Sequence, residues 1–218
     1  IDVRLVGSEM CIRDRPFQIG AEVWYCESTD QIANNLVEVS PTLMTAVPRL
    51  YEVLHDRIMR GVRNKGGLSE QLFMAAVRLG TKRQQGKPLL PHEVILNLIV
   101  EKLVRNKVRD RLGGQLKFFI SGGAALNPEI GNFFMALGIN LLQGYGQTEA
   151  SPLISANRPG RIKIETVGPV VSGVDMKIAG DGEILVRGDL LMKGYWRDEA
   201  ATAAVIQNGW LHTGDLGE

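Results

Sequence analysis

The stretch that most constrains the fold runs from residue 116 to 149, where two short apolar runs flank a helix-length segment and each run ends in a loop of small residues. Leu116 to Ile120 reads as a buried strand and Ser121 to Leu126 as a loop. Asn127, Pro128 and Glu129 then predict a helix start, because an Asn side chain can accept from a first-turn N–H and Pro brings a preset φ. Ile130, Phe133, Phe134 and Leu137 recur at helical spacing, Gly138 stops the helix, and Ile139 to Gln143 predicts a second strand. A strand–helix–strand unit of this length joins parallel strands through a right-handed crossover. Ligands of open parallel sheets bind beyond the carboxyl ends of the strands. The loops SGGAA (Ser121 to Ala125) and GYGQTE (Gly144 to Glu149) are therefore expected side by side as the site-bearing loops.

Upstream, GAEVWYC reads as a strand, Pro48 opens a helix carrying Leu50, Val53, Leu54 and Ile58 on one face, and a further helix is predicted over residues 68–79. Leu96, Val100, Val104, Val108 and Leu112 recur every fourth residue, predicting a long amphipathic helix with Lys102, Arg105 and Arg109 on a separate, solvated face. Downstream, Val174 to Ile178 and Glu183 to Arg187 flank AGDG, a hairpin with Gly180 and Gly182 expected at positive φ. The fold class is thus α/β, a partial doubly wound sheet lobe over residues 16–160 with an attached β-rich subdomain over 161–218. Of the 25 glycines, 18 lie in residues 113–218, where loops and turns are expected.

Composition narrows the function. Lys and Arg number 25 against 24 Asp and Glu, so no global field recruits nucleic acid. No apolar run approaches the roughly 18 residues of a membrane span. The basic helix face leaves peripheral membrane contact open. Two cysteines without CxxC spacing suggest a reducing, cytoplasmic setting. His55, His92 and His212 have neither ligand nor triad spacing, Ser121 is not in a GxSxG elbow, and no GxxxxGK[ST] loop occurs.

What the two loops do offer is a nucleotide site. Backbone amides at Gly122, Gly123, Ala124, Gly144 and Gly146 and the Thr148 hydroxyl suit phosphate oxygens, the Tyr145 ring suits a base, and Glu149 suits Mg²⁺. Singly, each has a plainer explanation: a tight turn for the glycine pair, a core aromatic for Tyr145, a first-turn helix acid for Glu149.

Together, SGGAAL, YGQTE, GEILVRGDLLMKGYW and GWLHTGD resemble, in order and spacing, the adenylate-forming family of acyl-CoA synthetases over residues 17–218. TAVPRLYE, the basic amphipathic insert and ANRP look like the long-chain fatty acyl-CoA synthetase branch. The resemblance implies that Gly122, Gly123 and Ala124 line the adenine pocket, Tyr145 packs on adenine, Thr148 contacts the α-phosphate, Glu149 helps hold Mg²⁺ and Asp215 binds the ribose hydroxyls. It places Pro48, Arg49 and Tyr51 near the entrance for the acyl chain. It also implies the reaction: a fatty carboxylate attacks the α-phosphorus of ATP, pyrophosphate leaves, and the CoA thiol then displaces AMP from the acyl-adenylate. Catalysis rests on positioning and charge neutralisation, without a protein nucleophile. A fatty acyl-AMP ligase and a non-catalytic nucleotide-binding module share the same motifs.

Against that pattern, the Ser/Thr/Gly-rich phosphate loop is missing upstream of GAEVWYC, and the C-terminal hinge and lysine are missing downstream. The chain is expected to be a fragment of the large domain with little ligase activity alone. Residues 1–15, IDVRLVGSEMCIRDR, have no family likeness and are expected to be a non-native leader, an adapter or assembly scar joined near Pro16. Resequencing the locus is expected to show the leader absent; finding it in the same genomic reading frame contradicts this.

Overall fold

The computed structural model describes residues 20–218 and the backbone of Asp2–Leu5. Apart from that short strand, the expected leader lies outside the described residues. The chain divides into two compact units, Ile1–Leu142 and Gln143–Glu218.

The first unit contains β1 (Asp2–Leu5), β2 (Glu22–Trp24), α1 (Ile32–Val39), β3 (Leu43–Ala46), α2 (Pro48–Lys65) and α3 (Gly67–Gln84). There follow α4 (Pro91–Val100), a π-helical turn (Glu101–Arg105), α5 (Asn106–Arg111), β4 (Phe118–Ser121), α6 (Pro128–Ala136) and the start of β5 (Asn140–Tyr145). Its strands lie in the order β2-β1-β3-β4-β5. β1 runs parallel to β2 and β3, and β3 runs parallel to β4 with Leu43 opposite Phe118 and Thr45 opposite Ile120. The strand–helix–strand reading of residues 116–149 holds, and the Asn127 side chain accepts from Glu129 N at 2.9 Å as the helix cap.

Aromatic rings form the centre of this unit. Tyr51 and Phe119 lie 5.1 Å apart, and Phe119 lies 5.4 Å from Phe134 edge to face, a favourable quadrupole arrangement. Tyr51 is fully buried and its hydroxyl donates to Ile120 O at 2.6 Å. Burial pushes its phenol pKa well up. Tyr51 is thus part of the core, and Arg49 makes an exposed ion pair with Glu52. Where α3 crosses α6, Gly80 meets the chain directly: a Cβ there would lie 2.1 Å from Ala136 O.

The long basic helix differs from its reading. It is broken by the π-helical turn, whose wider winding rotates the downstream residues about the helix axis. Val100, Val104 and Leu112 are buried as expected, but so is Arg105, at 2% exposure, instead of lying on the solvated face. Its guanidinium donates to Ala136 O (3.0 Å), Asn97 Oδ1 (2.8 Å), Glu101 Oε2 (3.0 Å) and Ala76 O (2.7 Å). The planar fork fits acceptors on several helices at once, which sequence periodicity does not register. Partial burial works against the Glu101 charge, yet hydrogen bonds from Arg109 and Arg105 hold its carboxyl below the usual range.

The second unit begins where the end of β5 pairs antiparallel with β6 (Ser155–Ala156). It continues with β7 (Val174–Ile178), β8 (Glu183–Gly188), α7 (Glu199–Val205), β9 (Ile206–Gln207) and β10 (Trp210–Leu216). An antiparallel sheet forms in the order β7-β8-β10-β9. The AGDG hairpin is present, but of its two glycines only Gly182 has positive φ, at 90°. The turn is closed by Gly182 N donating to Ala179 O at 3.0 Å and Ala179 N donating to Glu183 O at 2.8 Å, and the Asp181 carboxylate accepts from Glu183 N at 3.1 Å. Ala150, Ile154, Val186 and Leu211 form the core. Among the described residues no helix is long and apolar enough to cross a membrane.

Replacing Arg105 by Ala leaves two backbone carbonyls and the Asn97 amide oxygen without this donor, while Glu101 keeps its pairing with Arg109. Leaving such a buried acceptor unsatisfied costs about 1–3 kcal/mol. Urea unfolding of Arg105→Ala should show that loss, and Arg105→Lys should recover little of it, since an ammonium cannot reach all four acceptors.

Candidate nucleotide site

The GYGQTE loop is built by close backbone approach. Gly144 and Tyr145 pair with Ala156 and Ser155, and Tyr145 O accepts from Ile154 N at 2.9 Å. The chain folds back so tightly that a Cβ on Gly146 would lie 1.6 Å from Pro152 O, so no larger residue passes there. A single 3₁₀ turn, Thr148–Ala150, comes next and buries Ala150. Thr148 is exposed and Glu149 half-buried.

Tyr145 packs its half-buried ring against the Ala150–Ile154–Val186–Leu211 cluster. Its hydroxyl donates to Asp215 Oδ2 at 2.7 Å, linking two residues 70 positions apart. Burial pushes the phenol up to about 12; the Asp215 carboxylate adds to the shift and a hydrogen bond with Thr213 opposes it. Asp215 is exposed, and its backbone is fixed from the strand below. Thr213 Oγ1 donates to Ile184 O at 2.7 Å and accepts from Asp215 N at 3.1 Å. Glu183 accepts from Gly214 N at 2.9 Å and pairs with His212 Nδ1 at 2.7 Å.

Glu149 is tied to the GYW segment. Its carboxylate accepts from the Tyr195 hydroxyl at 2.8 Å, and its backbone carbonyl accepts from Met192 N at 2.8 Å. The carboxylate raises the Tyr195 phenol pKa. Among the described residues no group of three His, Cys, Asp or Glu could hold a metal. Mg²⁺ is commonly held by one or two carboxylates together with substrate phosphates and water. Glu149 alone fits that pattern only as one ligand of an ion completed by phosphate oxygens.

In the first unit the SGGAA loop follows β4. Gly122 N donates to Ala46 O at 3.4 Å, Gly123 takes φ of 81°, and Gly123 and Ala124 are exposed. Two buried side-chain polar atoms have no hydrogen-bond partner among the described residues, and each falls in one of the two loops: Ser121 Oγ and Gln147 Nε2. An unsatisfied buried donor costs about 1–3 kcal/mol, and such a cost is sustained where a ligand relieves it.

Sequence reasoning did not single out Gln147, Glu183 or Tyr195. All three lie inside the quoted motifs, and Tyr195 could have been found as the only phenol in the GYW segment. The side-chain partners of Glu183 and Tyr195 lie 29 to 46 residues away, beyond any local pattern.

A family model described as "AMP-binding enzyme" matches residues 15–196. The chain is 35% identical over 184 residues to long-chain-fatty-acid–CoA ligase FadD15 of Mycobacterium bovis, covering 84% of the chain and 30% of that protein. It is 36% identical over 206 residues to the peroxisomal long chain acyl-CoA synthetase 6 of Arabidopsis thaliana, covering 86% of the chain and 28% of that protein. The chain thus spans less than a third of the length of these curated relatives. Among solved structures, a fatty acyl CoA synthetase of Mycobacterium tuberculosis superposes with a TM-score of 0.66 at 19% identity, covering 100% of this chain and 38% of that one. O-succinylbenzoate coenzyme A synthetase of Bacillus subtilis, in complex with AMP, gives a TM-score of 0.62 at 20% identity, covering 99% and 38%. These structural likenesses establish the fold.

Because the Tyr145 phenol is raised in the folded state, its contribution to stability is complete below the unfolded value near 10 and is lost as pH rises through about 12. Tyr145→Phe should abolish that part of the alkaline loss, seen as a shallower fall in unfolding free energy between those limits. Equal slopes for both proteins would contradict the assignment.

Proposed function

The chain belongs to the AMP-binding enzyme family, and from that premise we propose that it is part of an ATP-dependent ligase joining a long-chain fatty acid to CoA. The observation that carries the reading is the Tyr145–Asp215 hydrogen bond, which joins the YGQTE and HTGD motifs in one unit. A half-buried aromatic ring beside an exposed carboxylate suits a nucleoside: the ring for the base, the carboxylate for vicinal hydroxyls.

In this reading Tyr145 packs on adenine and Asp215 accepts from the ribose hydroxyls. Gly144 and Gly146 hold the loop that carries Tyr145 in place. Thr148, exposed at the start of its turn, donates to the α-phosphate. Glu149, oriented by Tyr195, is the ligand for Mg²⁺, whose charge offsets that of the phosphates. Gln147 Nε2, buried and without a partner among the described residues, gains an acceptor when nucleotide binds. These groups bind and orient; the attacking atoms are the fatty carboxylate in the first half-reaction and the CoA thiol in the second. The chain spans 28–30% of its curated relatives' length. We infer that it is a portion of such an enzyme, with little ligase activity by itself.

Two measurements test this. A hydrogen bond to a charged acceptor is worth about 1.5–3 kcal/mol, so Asp215→Ala should weaken AMP binding by on the order of tenfold to a hundredfold. In the longer protein that contains this chain, pyrophosphate release should depend on a long-chain fatty acid and yield acyl-CoA when CoA is present. Pyrophosphate without acyl-CoA would instead indicate a fatty acyl-AMP ligase, and nucleotide binding without pyrophosphate a non-catalytic module.

A further inference from the structure

Past its middle, β10 leaves the regular ladder. It pairs with β8 at His212 opposite Leu185 and next at Leu216 opposite Glu183, so Thr213, Gly214 and Asp215 face a single residue, Ile184. A bulge of this kind bends its strand, frees backbone groups from the ladder and re-aims a side chain. Here the side chain concerned is that of Asp215, which stands exposed, and Gly214 takes φ of 74° beside it. The amides of the bulge find side-chain acceptors in place of a ladder: Gly214 N donates to Glu183 Oε1 at 2.9 Å and Asp215 N to Thr213 Oγ1 at 3.1 Å. The other Glu183 oxygen is paired with His212 Nδ1 at 2.7 Å. One carboxylate thus spans the bulge, gripping the residue before it and the residue at its centre.

Glu183 does this from outside the core. Its strand neighbours Ile184 and Val186 pack with Ala150, Ile154 and Leu211, and side chains alternate along a strand, so Glu183 lies on the opposite face of the sheet. A carboxylate with its side chain only 19% exposed is costly to hold unless it is bonded. Both of its oxygens are bonded, and both bonds end on the HTGD segment. Hydrogen bonds to an ionised acceptor are the stronger kind, which suits a strap that must hold a turn in one shape. We propose that Glu183 is a positioning residue for nucleotide binding: through His212 and Gly214 it fixes the bulge that directs the Asp215 carboxylate toward the ribose hydroxyls. The inference rests on the nucleotide reading of Asp215 and adds to it a residue that acts through Asp215 and not on the ligand itself.

Glu183→Ala removes the strap, whereas Glu183→Gln keeps an oxygen for Gly214 N and presents an amide from which a neutral His212 can accept. Calorimetric titration with AMP, and with its dideoxy analogue that lacks both ribose hydroxyls, separates positioning from general support and needs no ligase activity. Glu183→Ala should weaken AMP binding by about tenfold, and Glu183→Gln should recover most of that loss. The analogue should bind the wild-type protein and both variants alike. Equal losses of AMP and analogue in Glu183→Ala would overturn the proposal, since a purely structural role is blind to the ribose hydroxyls. So would a loss of AMP affinity in Asp215→Ala that Glu183→Ala does not share. AMP binding indifferent to Asp215→Ala would overturn the nucleotide reading itself, and the proposal with it.

Discussion

The Tyr145 hydroxyl reaches across its unit to the Asp215 carboxylate, and the arrangement of the candidate site depends on that contact. One end of the pair is set by a strand: Tyr145 ends β5 and is clamped against Ser155. The other end is set by Glu183 and Thr213, which hold the backbone of Gly214 and Asp215 from β8 and β10. An aromatic ring and a carboxylate that are remote in sequence are thereby held in one orientation before any ligand arrives, which lowers the ordering cost of binding.

A similar economy appears at Glu149. Tyr195 restrains the Glu149 carboxylate through one oxygen, and under the proposed function the other oxygen is left for a cation. Gly146 gives the loop its path, since its tight approach to Pro152 excludes any side chain. The buried donor of Gln147 is the one buried side-chain polar atom of this unit left without a partner among the described residues. Of these features, the unpartnered Gln147 donor is the one that costs the empty protein, and under the proposed function a bound nucleotide relieves it.

Local elements are readable from the sequence. The Asn127 cap, the α6 face, the β7–β8 hairpin and both small-residue loops arise from spacing and turn chemistry that act over a few residues. Positions decided by distant partners are not readable in this way. Arg105 looks like one more exposed cation until Ala76 O and Ala136 O, 29 and 31 residues away, are seen to accept from it. Tyr51 looks like a residue at a helix start, and only the strand carrying Ile120 shows that it belongs to the core. Gly180 looks like a second positive-φ glycine of its hairpin, but the turn closes with Gly182 alone of the two at positive φ, through backbone bonds between Ala179, Gly182 and Glu183. In the candidate site the residue types are legible, whereas the pairing of Tyr145 with Asp215 and of Glu149 with Tyr195 is not.

The claim that YGQTE and HTGD act as one nucleotide-binding surface is tested most directly by a double-mutant cycle on AMP affinity, using Tyr145→Phe, Asp215→Ala and the pair. Residues in direct contact couple by roughly 0.5–3 kcal/mol. The account predicts a coupling in that range, with the double variant losing less than the sum of the single losses. Additive losses, or AMP affinity indifferent to both changes, would contradict it.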